Sequence, residues 1–128
     1  MSEIRIQIDG VEGTVELDDS LEAARQLRAA LPIEGRLTPG IWSGMTCEFG
    51  IQAAAGPQDV RVIGLLPGSL ALDQEHGLGI VSYGNAESRT ALGPHYIVRL
   101  GELREHRGDL LEVLRRMHDE GDKTISLR

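Results

Sequence analysis

Met45-Thr46-Cys47-Glu48-Phe49-Gly50-Ile51 sets an apolar side chain at every second position, with polar or small residues between. Successive side chains leave a strand on opposite sides, so this alternation predicts a strand with one buried face. Met45, Cys47, Phe49 and Ile51 are expected to point inward, and Thr46 and Glu48 outward. Downstream, Val60 to Leu66 reads as a further strand with Val60 and Val62 inward and Arg61 outward, and Pro67-Gly68 as a turn. Leu70 and Leu72 open another short strand, and Leu78 to Tyr83 makes the next, ending at Gly84-Asn85. Gln52 to Asp59 and Asn85 to Pro94 carry no clear period and read as loops. From His95 to Leu100 the alternation returns, with Tyr96, Val98 and Leu100 on one face and His95, Ile97 and Arg99 on the other.

Upstream, Ile33 to Gly40 is rich in turn formers. Before it, apolar residues at 23, 24, 27, 30 and 31 have helical spacing, with Asp19 and Glu22 expected to form a capping box and Pro32 to stop the helix. The chain opens with Ile4, Ile6 and Ile8, then Asp9-Gly10, then Val15 and Leu17, which is a hairpin signal because Asp-Gly tolerates positive φ. Near the C-terminus a second helix is expected from about Asp109, with Glu112 as capping partner, Leu110, Leu111, Val113, Leu114 and Met117 as its apolar positions and Gly121 at its end. Ile125 and Leu127 form a closing strand. Strands this dense, joined by turns too short for crossover helices, imply antiparallel pairing in a barrel or a sandwich. Two helices are about the number needed to plug the ends of a small barrel, and the barrel is the reading we favour.

Composition narrows the function classes. A chain of 128 residues with 41% hydrophobic content suits one domain with one core, so residues 1–128 are read as a single unit. No apolar run approaches the length of a membrane span, and the N-terminus alternates like a strand, so a cytoplasmic protein is expected. The lone cysteine, Cys47, has no internal disulfide partner. A net charge of −7 repels phosphate backbones and anionic bilayers, which argues against nucleic acid or membrane as partner.

Gly40-Ile41-Trp42-Ser43-Gly44, Leu66-Pro67-Gly68-Ser69-Leu70-Ala71-Leu72 and Ser82-Tyr83-Gly84-Asn85, in this order, resemble a family of small bacterial cyclophilin-like proteins of unassigned function. The resemblance spans nearly the whole chain. It implies a mainly β fold, a closed antiparallel barrel of about eight strands capped by two α-helices. Where that family often carries a glutamate shortly after the Trp-containing element, this chain has Met45, and its nearest acid is Glu48. The chain also lacks the Phe-rich pocket and the Gln-Gly-Gly-Asp-like element of true cyclophilins, so prolyl isomerisation ranks last among the expectations.

Strand parity locates a candidate site without the family. Glu48, Arg61 and His95, and Trp42 if its strand starts that early, would share the outer face of the sheet. Trp42 would stack on a ligand beside Ser43, Glu48 and His95 would act as a catalytic acid/base pair, and Arg61 would clamp an anion. Tyr83 would line the pocket, and the loop from Asn85 to Pro94, with Ser88 and Arg89, would close over it. The competing reading gives these residues surface roles, with Glu48 and Arg61 as a cross-strand ion pair. Other motifs fail. Ser43 is one position late for a nucleophile elbow, Gly77-Leu78-Gly79 lacks a third glycine, and Cys47 points inward. Glu75-His76 and His118-Asp119 are adjacent pairs pointing apart, so no metal site and no cofactor are expected from local spacing. The expected function is a small-molecule-binding barrel for a small polar metabolite, with a lyase, hydrolase or isomerase activity as its catalytic form. The alternative is a non-catalytic subunit that assembles through its outer face with an operon partner or with itself, as a homo-oligomer.

Overall fold

Asp9 and Gly10 both adopt positive φ, 49° and 89°, as a two-residue hairpin turn requires. They join β1 (Ser2–Ile8) to β2 (Val11–Leu17) in unbroken register from Ile8 opposite Val11 to Ser2 opposite Leu17. The structure is a computed structural model that describes residues 1–40 and 45–128. Beyond the hairpin it contains α1 (Glu22–Ala29), β3 (Ile33–Pro39), β4 (Thr46–Gly50), β5 (Gly64–Leu65), β6 (Ser69–Asp73), β7 (Leu78–Ser82) and β8 (Ala86–Glu87). β9 (Arg89–Thr90), β10 (Gly93–Pro94), β11 (Val98–Leu103), α2 (Arg107–Arg115), α3 (Met117–Glu120) and β12 (Lys123–Leu127) follow.

Eight of the strands close into an antiparallel barrel in the order β1-β12-β3-β4-β7-β6-β11-β2. The barrel expectation therefore holds, and the sandwich does not. The inner face carries Ile4, Ile6, Ile8, Val15, Leu17, Cys47, Phe49, Leu70, Leu72, Val81, Val98, Leu100, Ile125 and Leu127, all in one buried cluster. Gly79 leaves room for the only phenylalanine, since a Cβ there would stand 2.3 Å from the Phe49 ring.

Chain direction places the helices. α1 leaves the end of β2 and returns into β3 at one mouth, burying Ala23, Ala24 and Leu27. α2 and α3 lie between β11 and β12 at the opposite mouth, burying Leu110, Leu111, Val113, Leu114 and Met117. Each fully buried leucine here contributes about 2 kcal/mol through the area it removes from water. Among the described residues no helix is long and apolar enough to cross a membrane.

Several expectations are corrected. The first helix is not capped by Asp19, which instead meets Ser2 and the N-terminal amine. Its cap comes from 37 residues away, as Asp59 accepts the amides of Glu22 at 2.8 Å and Ala23 at 2.8 Å. α2 starts at Arg107 behind His106, which adopts φ 58°, and α3 is a separate turn of four residues ending at Gly121 with φ 88°. Ile33 to Gly40, expected as a turn region, is the strand β3 as far as Pro39. It is held by ladders to β12 and β4, while only Leu37 along it is fully buried, so side-chain alternation could not reveal it. Met45 is 48% exposed and packs beside Gly84 at the barrel rim.

The segment 60–66 departs most from its reading. It is an outer strap held by a bridge from Val62 to Ile97 and by the Leu66 carbonyl, which accepts from Ser69 and Ser82 of the barrel, and it pairs Gly64–Leu65 with Ala86–Glu87. Its apolar residues serve a second small cluster, Leu65, Ala71, Ile80, Ala86 and Ile97 with Val62 against it. Val60, expected inward, is 69% exposed, as is Tyr96 at 62%, because β11 begins only at Val98.

Candidate functional site

The chemistry collects where β6 ends. β6 delivers Asp73 on the outer face, and the tight turn to β7 returns His76 over it with Gly77 at φ 66°. The His76 amide donates to Asp73 Oδ1 at 3.2 Å, and His76 Nδ1 lies 2.9 Å from Asp73 Oδ2. His95 approaches from the segment leading into β11, the strand that pairs with β6, and places Nε2 2.9 Å from Asp73 Oδ1. Its other nitrogen, Nδ1, is 3.4 Å from Glu75 Oε2. The two imidazole rings meet edge to face with centroids 5.1 Å apart.

Asp73 is fully buried, the His95 side chain is 10% exposed and that of His76 is 37% exposed, so the cluster opens on the His76 side. Burial pushes the Asp73 carboxyl up, but the hydrogen bonds from His95 and His76 outweigh it and hold the group below the usual carboxylate range. A carboxylate kept ionised in a dry place, bonded to two imidazoles, can orient a base, stabilise an imidazolium or share a cation. A hollow of about 290 Å³ adjoins the cluster through Glu75 and is also lined by Arg61, Gln74 and Tyr96. A second hollow, about 350 Å³, lies across β1, β2 and β12 among Arg5, Glu12, Glu105 and Arg128. That one is framed by long surface side chains, whereas the first hollow borders the buried Asp73–His95 pair through Glu75, which lies 3.4 Å from His95.

The residues expected at the site fall in different places. His95 is in the cluster, and Arg61 lines the adjoining hollow while donating to the Asp59 carbonyl at 2.9 Å rather than to Glu48. Glu48 faces outward on β4, as parity predicts, and is 5% exposed opposite Ile80. It is separated from Asp73 by β7. Tyr83 follows β7 at the other mouth of the barrel, packs against the inner core and does not share the outer face with His95. Burial, with Cys47 nearby, pushes its hydroxyl pKa upward. Arg89 is exposed in the small β9–β10 hairpin and pairs with Glu87 at 2.7 Å. Trp42 and Ser43 lie outside the described residues.

Sequence reasoning missed Asp73, Glu75 and His76. It treated Glu75-His76 as an adjacent pair pointing apart, whereas both side chains reach His95, Glu75 at 3.4 Å and the His76 ring at 5.1 Å between centroids. The available signal was Asp-x-x-His across a hairpin turn, since a turn folds residues i and i+3 onto each other. Nothing local announces that His95 joins them.

No protein-family model matches the chain, and no curated protein does. Its fold is similar to that of McbB, solved in complex with tryptophan, with a TM-score of 0.72 and 16% identity over 98% of this chain. The chain spans 44% of the length of McbB. It is also similar to the hypothetical protein AF2241 from Archaeoglobus fulgidus, known from a solution structure, with a TM-score of 0.57 and 15% identity over 98% of this chain and 92% of that one. At such identities the likeness is one of fold, a small closed barrel.

Proposed function

We propose that this barrel binds a small polar metabolite on its outer face at the α1 end, and that Asp73, His76 and His95 are its acid/base centre. The observation that carries the reading is the fully buried Asp73 carboxylate bonded to two imidazoles beside a hollow that presents Arg61 and Tyr96. With Nδ1–H of His76 donated to Asp73, its Nε2 is the basic nitrogen, and the carboxylate stabilises the imidazolium formed when that nitrogen takes a proton. His95 has both nitrogens directed at carboxylates and acts as the fixed arm of the cluster. Arg61 supplies the charge for an anionic group and Tyr96 a flat apolar wall. McbB binds tryptophan, a small zwitterion, which supports a ligand of this class. The cyclophilin-like kinship and the roles of Trp42, Ser43 and Glu48 belong to the same proposal, with Glu48 moved from the reacting centre to its surroundings.

A thermal-shift screen of small carboxylates, amino acids and phosphorylated metabolites tests it. A ligand at a hundred times its Kd adds about 2.7 kcal/mol of stability. The shift should vanish in Arg61→Gln and His76→Ala. A screen without a hit, or hits indifferent to both substitutions, counts against the proposal.

A second reading, self-association through the outer face, is favoured by the placement of exposed apolar side chains. Of the six large ones among the described residues, Val60, Leu66, Leu92 and Tyr96 belong to the segments that cross this face. Light scattering on the eluting protein decides it, and a monomer at all concentrations removes it.

A further inference from the structure

We infer that Asp73, His76 and His95 form a site for a single first-row divalent transition-metal ion, with Glu75 orienting His95 from behind. The inference rests on the same cluster as the acid/base reading and deepens it. Ligand atoms about 2.1 Å from an ion stand about 3.0 Å apart in an octahedral arrangement and about 3.4 Å apart in a tetrahedral one. Here His76 Nδ1 is 2.9 Å from Asp73 Oδ2 and His95 Nε2 is 2.9 Å from Asp73 Oδ1, so each imidazole faces its own carboxylate oxygen. With one donor atom taken from each residue the three lie within 4.8 Å of one another, a spacing that closes by about an ångström when an ion draws them in.

The rings agree with this. An imidazole bound through one nitrogen has its centroid about 3.2 Å from the ion, so two of them stand roughly 4.5–5.2 Å apart. The observed separation is 5.1 Å. The ion would replace the protons now shared between the nitrogens and Asp73, which leave to solvent, and no oxidation or reduction is involved.

An independent observation comes from the far side of His95. Its Nδ1 faces the Glu75 carboxylate at 3.4 Å while Nε2 faces the cluster. A ligating histidine ordinarily has this arrangement, with a carboxylate on the second nitrogen fixing the tautomer and raising basicity at the first. Two imidazole nitrogens and one carboxylate oxygen select zinc, iron, cobalt or nickel over magnesium and calcium. Three protein donors leave coordination positions open, and the opening lies on the exposed His76 side.

The test uses untagged full-length protein stripped with chelator and titrated with Zn²⁺ and with Co²⁺, whose visible spectrum reports nitrogen–oxygen ligation. One ion per chain should bind, unaffected by millimolar Mg²⁺. His76→Ala should weaken binding at least tenfold. Glu75→Gln, at a 71% exposed side chain and hence harmless to folding, should weaken it about 10–100-fold without changing the stoichiometry. His118→Ala should match the unaltered protein. Absence of saturable uptake, or identical uptake in the His76 and Glu75 variants, overturns the site. Metal uptake without any metabolite hit leaves the ion site standing and removes the ligand reading. A metabolite that stabilises stripped protein while no metal binds does the reverse.

Discussion

Replacing Asp59 by alanine tests whether the first helix is capped across the fold. The carboxylate is 7% exposed and accepts three amides, from Glu22 at 2.8 Å, Ala23 at 2.8 Å and Gly56 at 3.0 Å. The Ala23 and Gly56 bonds are buried, so each amide left without its acceptor costs about 1–2 kcal/mol. The Glu22 amide is half-buried and turns to water at about 0.5 kcal/mol, in line with ordinary cap deletions. The sum is about 2.5–4.5 kcal/mol for Asp59→Ala. Asp59→Asn keeps one carbonyl acceptor and should lose about half as much. Asp19→Ala, the cap expected from local sequence, removes only a partly exposed surface pairing and should cost under about 1 kcal/mol.

Urea unfolding followed by circular dichroism measures all three. With an m-value of about 2 kcal/mol/M, the midpoint of Asp59→Ala should fall by about 1.2–2.2 M. The pH dependence carries the same signature. Burial pushes Asp59 up, but the amides of Ala23, Gly56 and Glu22 prevail and its folded pKa lies below the ordinary carboxylate value. A depressed folded pKa means that the stabilisation is complete above the unfolded value near 3.9 and is lost as pH falls through the folded value. The gap between wild type and Asp59→Ala should therefore be constant from about pH 5 to 8 and close under acid conditions. A loss under about 1 kcal/mol for Asp59→Ala, or a larger one for Asp19→Ala, would refute the capping argument.

Other outcomes follow from the barrel interior. Gly79→Ala should cost about 2–3 kcal/mol because its Cβ meets the Phe49 ring, and Phe49→Leu in the same chain should recover part of the loss in a double-mutant cycle. Gly101→Ala should destabilise more and find no such rescue, since its Cβ would stand 2.1 Å from the Glu16 carbonyl oxygen of the neighbouring strand. The Cys47 thiol, whose pKa burial and then the neighbouring Glu48 push up to about 12, should stay unreactive toward a disulfide reagent at pH 8 and react fully once urea unfolds the chain. Thiol titration over time distinguishes this from a surface cysteine, which would react at once.

Local chemistry, readable from the sequence, determined much of the architecture. The alternation from Cys47 to Ile51 places Cys47 and Phe49 in the core and Glu48 outside, because a strand's period of two is a property of its own backbone. Asp9-Gly10 specifies its hairpin, and the helical spacing at 23, 24 and 27 specifies the face that α1 buries, for the same reason. β3 escaped notice because its stability resides in hydrogen-bond ladders to β12 and β4, partners distant in sequence. Val60 to Leu66 alternates, but alternation is blind to which sheet face an apolar residue will find, and Val62 and Leu65 found the outside.

Only the tertiary structure decided the site. Asp73 and His76 are brought together by a turn, but His95 reaches them because β11 pairs with β6, and Arg61 joins the adjoining hollow because its strap crosses that face. Asp59 caps a helix 37 residues upstream for a like reason. Barrel closure brings such groups within 3 Å of each other, and a side chain's partner across that distance leaves no period or spacing in the chain.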